Sequence, residues 1–212
     1  MSAIAVLFSI LGTILIGAIS PGPSFVLVSR TAVTISRTDG LAAALGMGLG
    51  GAIFGTLALA GLTALLLQVD WLYFVLKIVG GTYLAYLGFR IWQGAADPIV
   101  IPETTELRSR SWLRSFTLAL ATQLSNPKAA IVYASIFAAL MPESPPAWLL
   151  IALPPLLFLV EATWYAVVAL AFSAKGPRSV YLGAKAWIDR AAGAVMGILG
   201  TRLIFESVRS RV

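Results

Sequence analysis

Six stretches of this chain are apolar for long enough to cross a bilayer: Ala3–Ser29, Leu41–Leu67, Trp71–Trp92, Trp112–Met141, Trp148–Phe172 and Trp187–Ser207. A transmembrane helix needs about 20 mainly apolar residues. Two of these stretches carry a charge at depth. Glu161 stands alone within Leu149–Ala174, and Lys128 stands mid-span directly after a helix-breaking Asn126-Pro127. A charge inside the hydrocarbon costs on the order of a few kcal/mol, so it faces a cavity and has a task.

Composition agrees. The 212 residues are 59% hydrophobic and only 11% charged, with a mean hydropathy of +0.91. A soluble domain covers its core with charged residues, and here they are too few. The expected class is an all-α integral membrane protein with one transmembrane domain over residues 1–212. Cys and His are both absent, which excludes disulfides, thiol nucleophiles and thiolate metal sites. Any proton relay must run on Glu, Asp, Lys, Tyr or water. No cofactor is implied. The net charge of +6 is dispersed over loops and helix ends, the pattern of anchoring at a membrane face rather than of nucleic-acid binding.

Basic residues orient the spans. The first, third and fifth loops carry Arg30, Arg37, Arg90, Arg108, Arg110, Arg114, Lys175, Arg178, Lys185 and Arg190. The second and fourth carry only Asp70 and Glu143. Odd loops are therefore expected in the cytoplasm and both termini outside, against the two basic residues of the tail, Arg209 and Arg211. Trp71, Trp92, Trp112, Trp148 and Trp187 fall near predicted span ends, where an amphipathic ring meets the headgroups. No Lys or Arg precedes Arg30, so the first span is expected to stay rather than serve as a cleaved signal.

The third and sixth spans share a pattern. Gly81-x-x-x-Ala85-x-Leu87-Gly88-x-Arg90 matches Gly193-x-x-x-Gly197-x-Leu199-Gly200-x-Arg202. The first and fourth spans correspond too, broken by Ser20-Pro21-Gly22-Pro23 and by Ser125-Asn126-Pro127-Lys128. A linker at about 94–111 separates the halves, 1–95 and 112–212. Three crossings per half invert the second half relative to the first, so the expected fold is six transmembrane helices as a 3+3 inverted repeat with broken first and fourth helices. The glycines of the second span, Gly46, Gly48, Gly50, Gly51 and Gly55, suit close helix packing, within the chain or across a homodimer.

Pro21 and Pro23 lack N–H groups and Gly22 permits unusual dihedrals, so helical bonding must fail there. Freed backbone groups at membrane depth are tolerated only beside protein or a water-filled cavity. The half-helix starting near Ser24 would point free N–H groups and a positive dipole end into that cavity, as would the one after Asn126-Pro127. Lys128 adds an ammonium. The arrangement suits a carboxylate ligand. For Glu161 three roles are open: binding a substrate amine, carrying a coupling proton, or pairing with Lys128. Lys77, Tyr83 and Tyr86, with Trp164 and Tyr165, are further candidates for a pocket wall. Asp39 is expected to cap the second span.

Four segments in order resemble the LysE/RhtB family of amino-acid exporters: Ser20-Pro21-Gly22-Pro23, Arg37-Thr38-Asp39-Gly40-Leu41, Lys77-x-x-Gly80-Gly81-x-Tyr83-Leu84-x-Tyr86-Leu87-Gly88 and Asn126-Pro127-Lys128-Ala129. The likeness covers nearly the whole chain. It implies a carrier of the bacterial inner membrane that expels amino acids on the proton gradient, with Glu161 at the family's acidic position. Where some members carry a polar or charged residue after the second-span glycines, this chain has Ala52-Ile53-Phe54, which favours neutral or hydrophobic amino acids. The expected site is Ser20, Pro21, Gly22, Pro23, Ser24, Asn126, Pro127 and Lys128 for substrate and Glu161 for protons. The alternatives are a divalent-cation exporter, for which one intramembrane carboxylate is few, and an intramembrane enzyme built on Ser125 and Lys128.

Overall fold

The structure, a computed structural model, describes residues 2–66, 70–98, 111–142 and 144–209. Among these the chain forms eight α-helices and no strand: α1 Ala3–Ile19, α2 Pro23–Thr34, α3 Arg37–Leu66, α4 Asp70–Gln93, α5 Trp112–Leu124, α6 Pro127–Leu140, α7 Ala147–Phe172 and α8 Lys175–Arg209. Most of the linker, residues 99–110, lies outside the described residues, as do Glu143 and Arg211.

Both expected breaks are present. Helix α1 stops at Ile19 and α2 restarts at Pro23, bent by 60°. Helix α5 stops at Leu124 and α6 restarts at Pro127. Each proline opens its helix, where its missing N–H removes no bond. Among the described residues, three single helices (the Arg37–Gly61 part of α3, α7 and α8) are long and apolar enough to cross a membrane, and the bent α1–α2 pair adds a fourth when counted as one span.

Two boundaries differ from expectation. The fifth loop shrinks to Ser173 and Ala174, because α8 already begins at Lys175. Its basic residues Lys175, Arg178, Lys185 and Arg190, and Trp187, therefore ride on a helix that continues beyond the apolar stretch. An apolar-run criterion ends a span at its first charges, but the backbone has no reason to stop there. Helix α3 likewise begins at Arg37, and its cap is Ser36, whose Oγ accepts from Asp39 N at 3.1 Å. Asp39 is thus not the cap. Its carboxylate accepts from Ser36 Oγ at 2.5 Å and from Ser115 Oγ of α5 at 2.8 Å, which ties two helices together.

Much of the outer surface is apolar. Phe8, Leu57, Val79, Phe89, Ile151, Leu159, Ile198 and Phe205 are each more than half exposed, which is what a lipid-facing wall requires. Inside, one cluster gathers Ile10, Leu84, Tyr133, Ile136, Leu153 and Met196. A second gathers Phe25, Val28, Met47, Val168 and Phe172.

Glycine sets how closely these helices approach. A Cβ on Gly81 would sit 2.8 Å from Gly200 O, and one on Gly88 would sit 2.5 Å from Gly193 O. The repeated motifs of α4 and α8 therefore pack on each other, antiparallel, and the contact Gly81–Gly200 maps onto Gly193–Gly88 when the motifs are exchanged. Helix α3 uses its glycines in the same way. Gly48 lies against Ala162 and Phe158 O, and Gly55 against Leu157, all on antiparallel α7. Gly46 lies against Phe116 O and Gly50 against Gln123, both on α5. Replacing Gly88 with Leu should lower stability by about 1–3 kcal/mol or more, the usual range for overpacking. Gly61, with open space around it, should accept Leu without such a loss. Thermal unfolding of the two variants in detergent checks this.

Candidate functional site

Stopping α1 at Ile19 frees the carbonyls of its last turn. Two of them, and the next carbonyl at Ser20, are met by side chains from distant helices. Trp164 Nε1 of α7 donates to Ala18 O at 3.0 Å, and Tyr181 OH of α8 donates to Ile19 O at 3.3 Å. Lys128 Nζ of α6 donates to Ser20 O at 3.5 Å. The ammonium therefore sits at the negative end of the α1 dipole. It also lies beside Gly22, where a Cβ would come within 3.4 Å of Nζ.

The two restarts are not equivalent. Asn126 Oδ1 caps α6, accepting from Lys128 N at 3.0 Å and Ala129 N at 3.4 Å. Gly22 gives α2 no side-chain cap. The expected pair of open helix N-termini is thus one open and one occupied. Asn126 can cap because its short side chain folds back onto the first turn, which glycine cannot do.

Between the breaks runs one continuous chain of hydrogen bonds. Asn126 Nδ2 donates to Ser24 Oγ at 3.1 Å, and Ser24 Oγ donates to Gln123 Oε1 at 2.6 Å. Gln123 Nε2 donates to Glu161 Oε2 at 2.8 Å, and Tyr133 OH donates to Glu161 Oε1 at 2.9 Å. All these donors point toward the carboxylate, which is the arrangement an ionised acid wants. Glu161 is only 3% exposed. Its partners are an amide and a phenol, not Lys128. Its space comes from Gly51 of α3, where a Cβ would lie 2.7 Å from both Glu161 Oε2 and Tyr133 OH.

These groups surround a small cavity of about 40 Å³, lined by Ser20, Gly22, Ser24, Gln123, Asn126, Lys128, Tyr133, Glu161 and Tyr165 among apolar Ile14, Ala18, Phe25 and Val132. As it stands it has room for a few waters. Phe25 closes part of its wall and packs against Phe172 and Tyr181 with ring centroids 5.4 and 5.1 Å away.

Ser20, Gly22, Ser24, Asn126, Lys128 and Glu161 thus come together around one space. Pro23 and Pro127 contribute by starting helices, while Pro21 lies on the wall of a neighbouring cavity. Of the further candidates, Tyr165 lines the space and Trp164 caps α1. Tyr86 is exposed, and the side chain of Lys77 lies outside the described set. Ser125 turns its hydroxyl onto Ala121 O and Thr122 O of its own helix, away from a nucleophile's pairing with Lys128. Sequence reasoning missed Gln123, Tyr133, Tyr181 and the role of Gly51. Gln123 carried a signal, an amide one turn before a helix break in an otherwise apolar span. The others carried none without the fold.

Comparison with known proteins places the chain in a family. No solved structure matches the chain. The threonine efflux protein of Salmonella typhimurium is 33% identical over 195 residues, 91% of this chain and 94% of that protein. The threonine efflux protein of Escherichia coli K12 is 31% identical over 194 residues, 91% and 94% of the two chains. An uncharacterized membrane protein of Haemophilus influenzae is 29% identical over 196 residues, 92% and 93%. The family model for LysE type translocators matches residues 15–207. With its broken helices, its apolar exterior and its buried polar centre, the chain belongs to the LysE type translocator family.

Proposed function

We propose that this protein exports a neutral amino acid across the bacterial inner membrane in exchange for protons, binding it midway between the two helix breaks. The hydrogen-bond chain from Asn126 through Ser24 and Gln123 to Glu161 carries the reading, because it links both breaks to one buried acid. The name "threonine efflux protein" borne by relatives supports an amino acid as cargo.

The substrate carboxylate takes the uncapped start of α2, assisted by Lys128. Backbone N–H groups at a helix start and a nearby ammonium both favour an anion. Its ammonium takes Glu161. Apart from tyrosines, the described ionisable groups on the cavity wall are one cation and one anion, Lys128 and Glu161. They match the two charges of a zwitterion and leave none for a charged side chain. The apolar remainder of the wall suits a small neutral one.

Protons enter through the same acid. A protonated Glu161 donates instead of accepting, so it draws Gln123 Oε1 toward itself in place of Nε2. The turned amide then donates toward Ser24, whose hydroxyl must seek another acceptor, and Asn126 feels the change. Protonation thereby loosens the ammonium contact and disturbs both breaks together.

Six crossings in two inverted halves complete this reading. The self-mapping contact of α4 on α8 and the antiparallel fit of α3 on α7 support it. So does the restart of both first helices at a proline. Rocking of one half against the other would then alternate access to the central site. The glycines of α3 at 46, 48, 50, 51 and 55 make their close contacts within one chain.

Threonine-loaded proteoliposomes test the proposal. In Glu161→Gln, efflux driven by an imposed pH gradient should fall at least about tenfold, to the rate without a gradient, as expected for losing one interaction of about 1.4 kcal/mol. Gradient stimulation equal to wild type would remove Glu161 from the mechanism. Gln123→Leu keeps the acid but cuts the chain. It should retain threonine counterflow at equal pH while losing stimulation by the gradient, and tracer counterflow measured beside gradient-driven efflux separates the two.

A further inference from the structure

Beyond Lys128 a second, open cavity of about 470 Å³ lies at the end of the molecule where α4 finishes. Its wall includes Val26, Arg90, Asp97, Lys185 and Asp189. Lys128 and Ser20 belong to this wall and to that of the inner cavity alike.

Asp189, on α8, is 4% exposed. Its Oδ2 pairs with Lys185 Nζ at 2.8 Å. Lys185 Nζ also donates to Gly94 O at 3.0 Å and to Ala95 O at 3.1 Å. An ammonium has three N–H groups, and these three acceptors use them all. Asp189 Oδ1 is left buried with no hydrogen-bond partner, and it is the one buried side-chain polar atom so placed among the described residues. Removing a carboxylate oxygen from water without supplying a donor is costly. A role confined to holding Lys185 would need only Oδ2. Lys128 and Asp189 line the same open cavity.

We propose that Lys128 and Asp189 form an approach site for a zwitterionic amino acid, its carboxylate on Lys128 Nζ and its ammonium supplying the donor that Asp189 Oδ1 lacks. This rests on the export reading and adds a station to it. The substrate then passes inward with its carboxylate still on Lys128, while its ammonium moves from Asp189 to Glu161. Neither charge has to stand unpaired in an apolar passage, which is the costly state.

The test uses purified protein in proteoliposomes, with threonine as probe presented at the face bearing Arg90 and Lys185. In Asp189→Asn the half-saturating concentration at that face should rise about tenfold, the loss of one charge-assisted hydrogen bond. The maximal rate should stay within about two-fold. Asp189→Glu should largely restore half-saturation. Equal half-saturation in Asp189→Asn and wild type overturns the approach site. A binding readout that needs no turnover uses the absence of cysteine from the chain. In Val26→Cys, threonine should slow maleimide labelling, and the same variant carrying Asp189→Asn should lose that protection. An arm with Asp189 intact covers failure of Asp189→Asn to insert. 2,3-Dihydroxybutyrate, which has a hydroxyl in place of the ammonium, should give Val26→Cys no protection. Protection equal to threonine's, or none from threonine itself, overturns the proposal. Wild-type protein that moves no neutral amino acid at all overturns the export reading instead.

Discussion

Lipid offers no hydrogen bonds, so every carbonyl that α1 releases at its end must be satisfied by the protein itself. That requirement organises the centre of the molecule. Trp164, Tyr181 and Lys128 come from three different helices to meet Ala18 O, Ile19 O and Ser20 O. Each of them pulls its helix toward the break. The cavity is the space that remains where those helices converge, and its polar lining follows from the repair of the backbone. A straight first helix would need none of these donors, and Lys128 would then be an isolated charge in hydrocarbon.

Glycine makes the convergence possible. Side chains larger than hydrogen at Gly46, Gly48 or Gly50 would run into Phe116 O, Ala162 or Gln123. Helix α3 therefore lies close enough to α5 and α7 for Gln123 and Glu161 to bond across it. At Gly51 the same economy of space has a chemical result. The volume that a methyl group would fill holds the carboxylate of Glu161 and the phenol of Tyr133. Packing and site are here one feature. The small-residue stripe reads as packing in the sequence because the partner that fills the space lies on other helices.

What was legible in the sequence divides along that line. The breaks, the burial of Glu161 and the repeat of Gly81–Arg90 in Gly193–Arg202 are local patterns. Each follows from residue types whose backbone or solvation physics leaves little choice. The pairing of Glu161 was not legible, because Lys128 and Glu161 are the obvious opposite charges and, though both line one cavity, the structure gives each of them different partners. Lys128 is drawn to the carbonyl end of α1, and Glu161 is served by neutral donors. Nor could Asp39 be placed, since the choice between Ser36 and Asp39 as cap depends on Ser115 waiting on α5. The start of α8 was missed for a simpler reason. Charges mark where a helix leaves the lipid, not where it ends.

An inverted repeat, as proposed, would build two similar breaks, yet the zwitterion proposed as cargo needs one anion site and one cation site, not two of each. The asymmetry between the two breaks is consistent with that proposal. Asn126 closes the start of α6, while Gly22 leaves the start of α2 without a side-chain cap. The ammonium follows the proline in the second half only, since Pro23 is followed by Ser24 where Pro127 is followed by Lys128. The carboxylate is likewise one-sided. Glu161 stands on α7, and the facing residue of α3 is Gly51. The second half thus supplies both charges, and the first supplies an open helix start and the room for them. Had both halves kept an acid, two carboxylates would meet in one small buried space, where like charges disfavour each other's ionisation. In the proposed cycle a single acid with neutral donors on both oxygens would gain or lose one proton with only its hydrogen bonds to rearrange, and the chain through Gln123 and Ser24 would carry that rearrangement to both breaks.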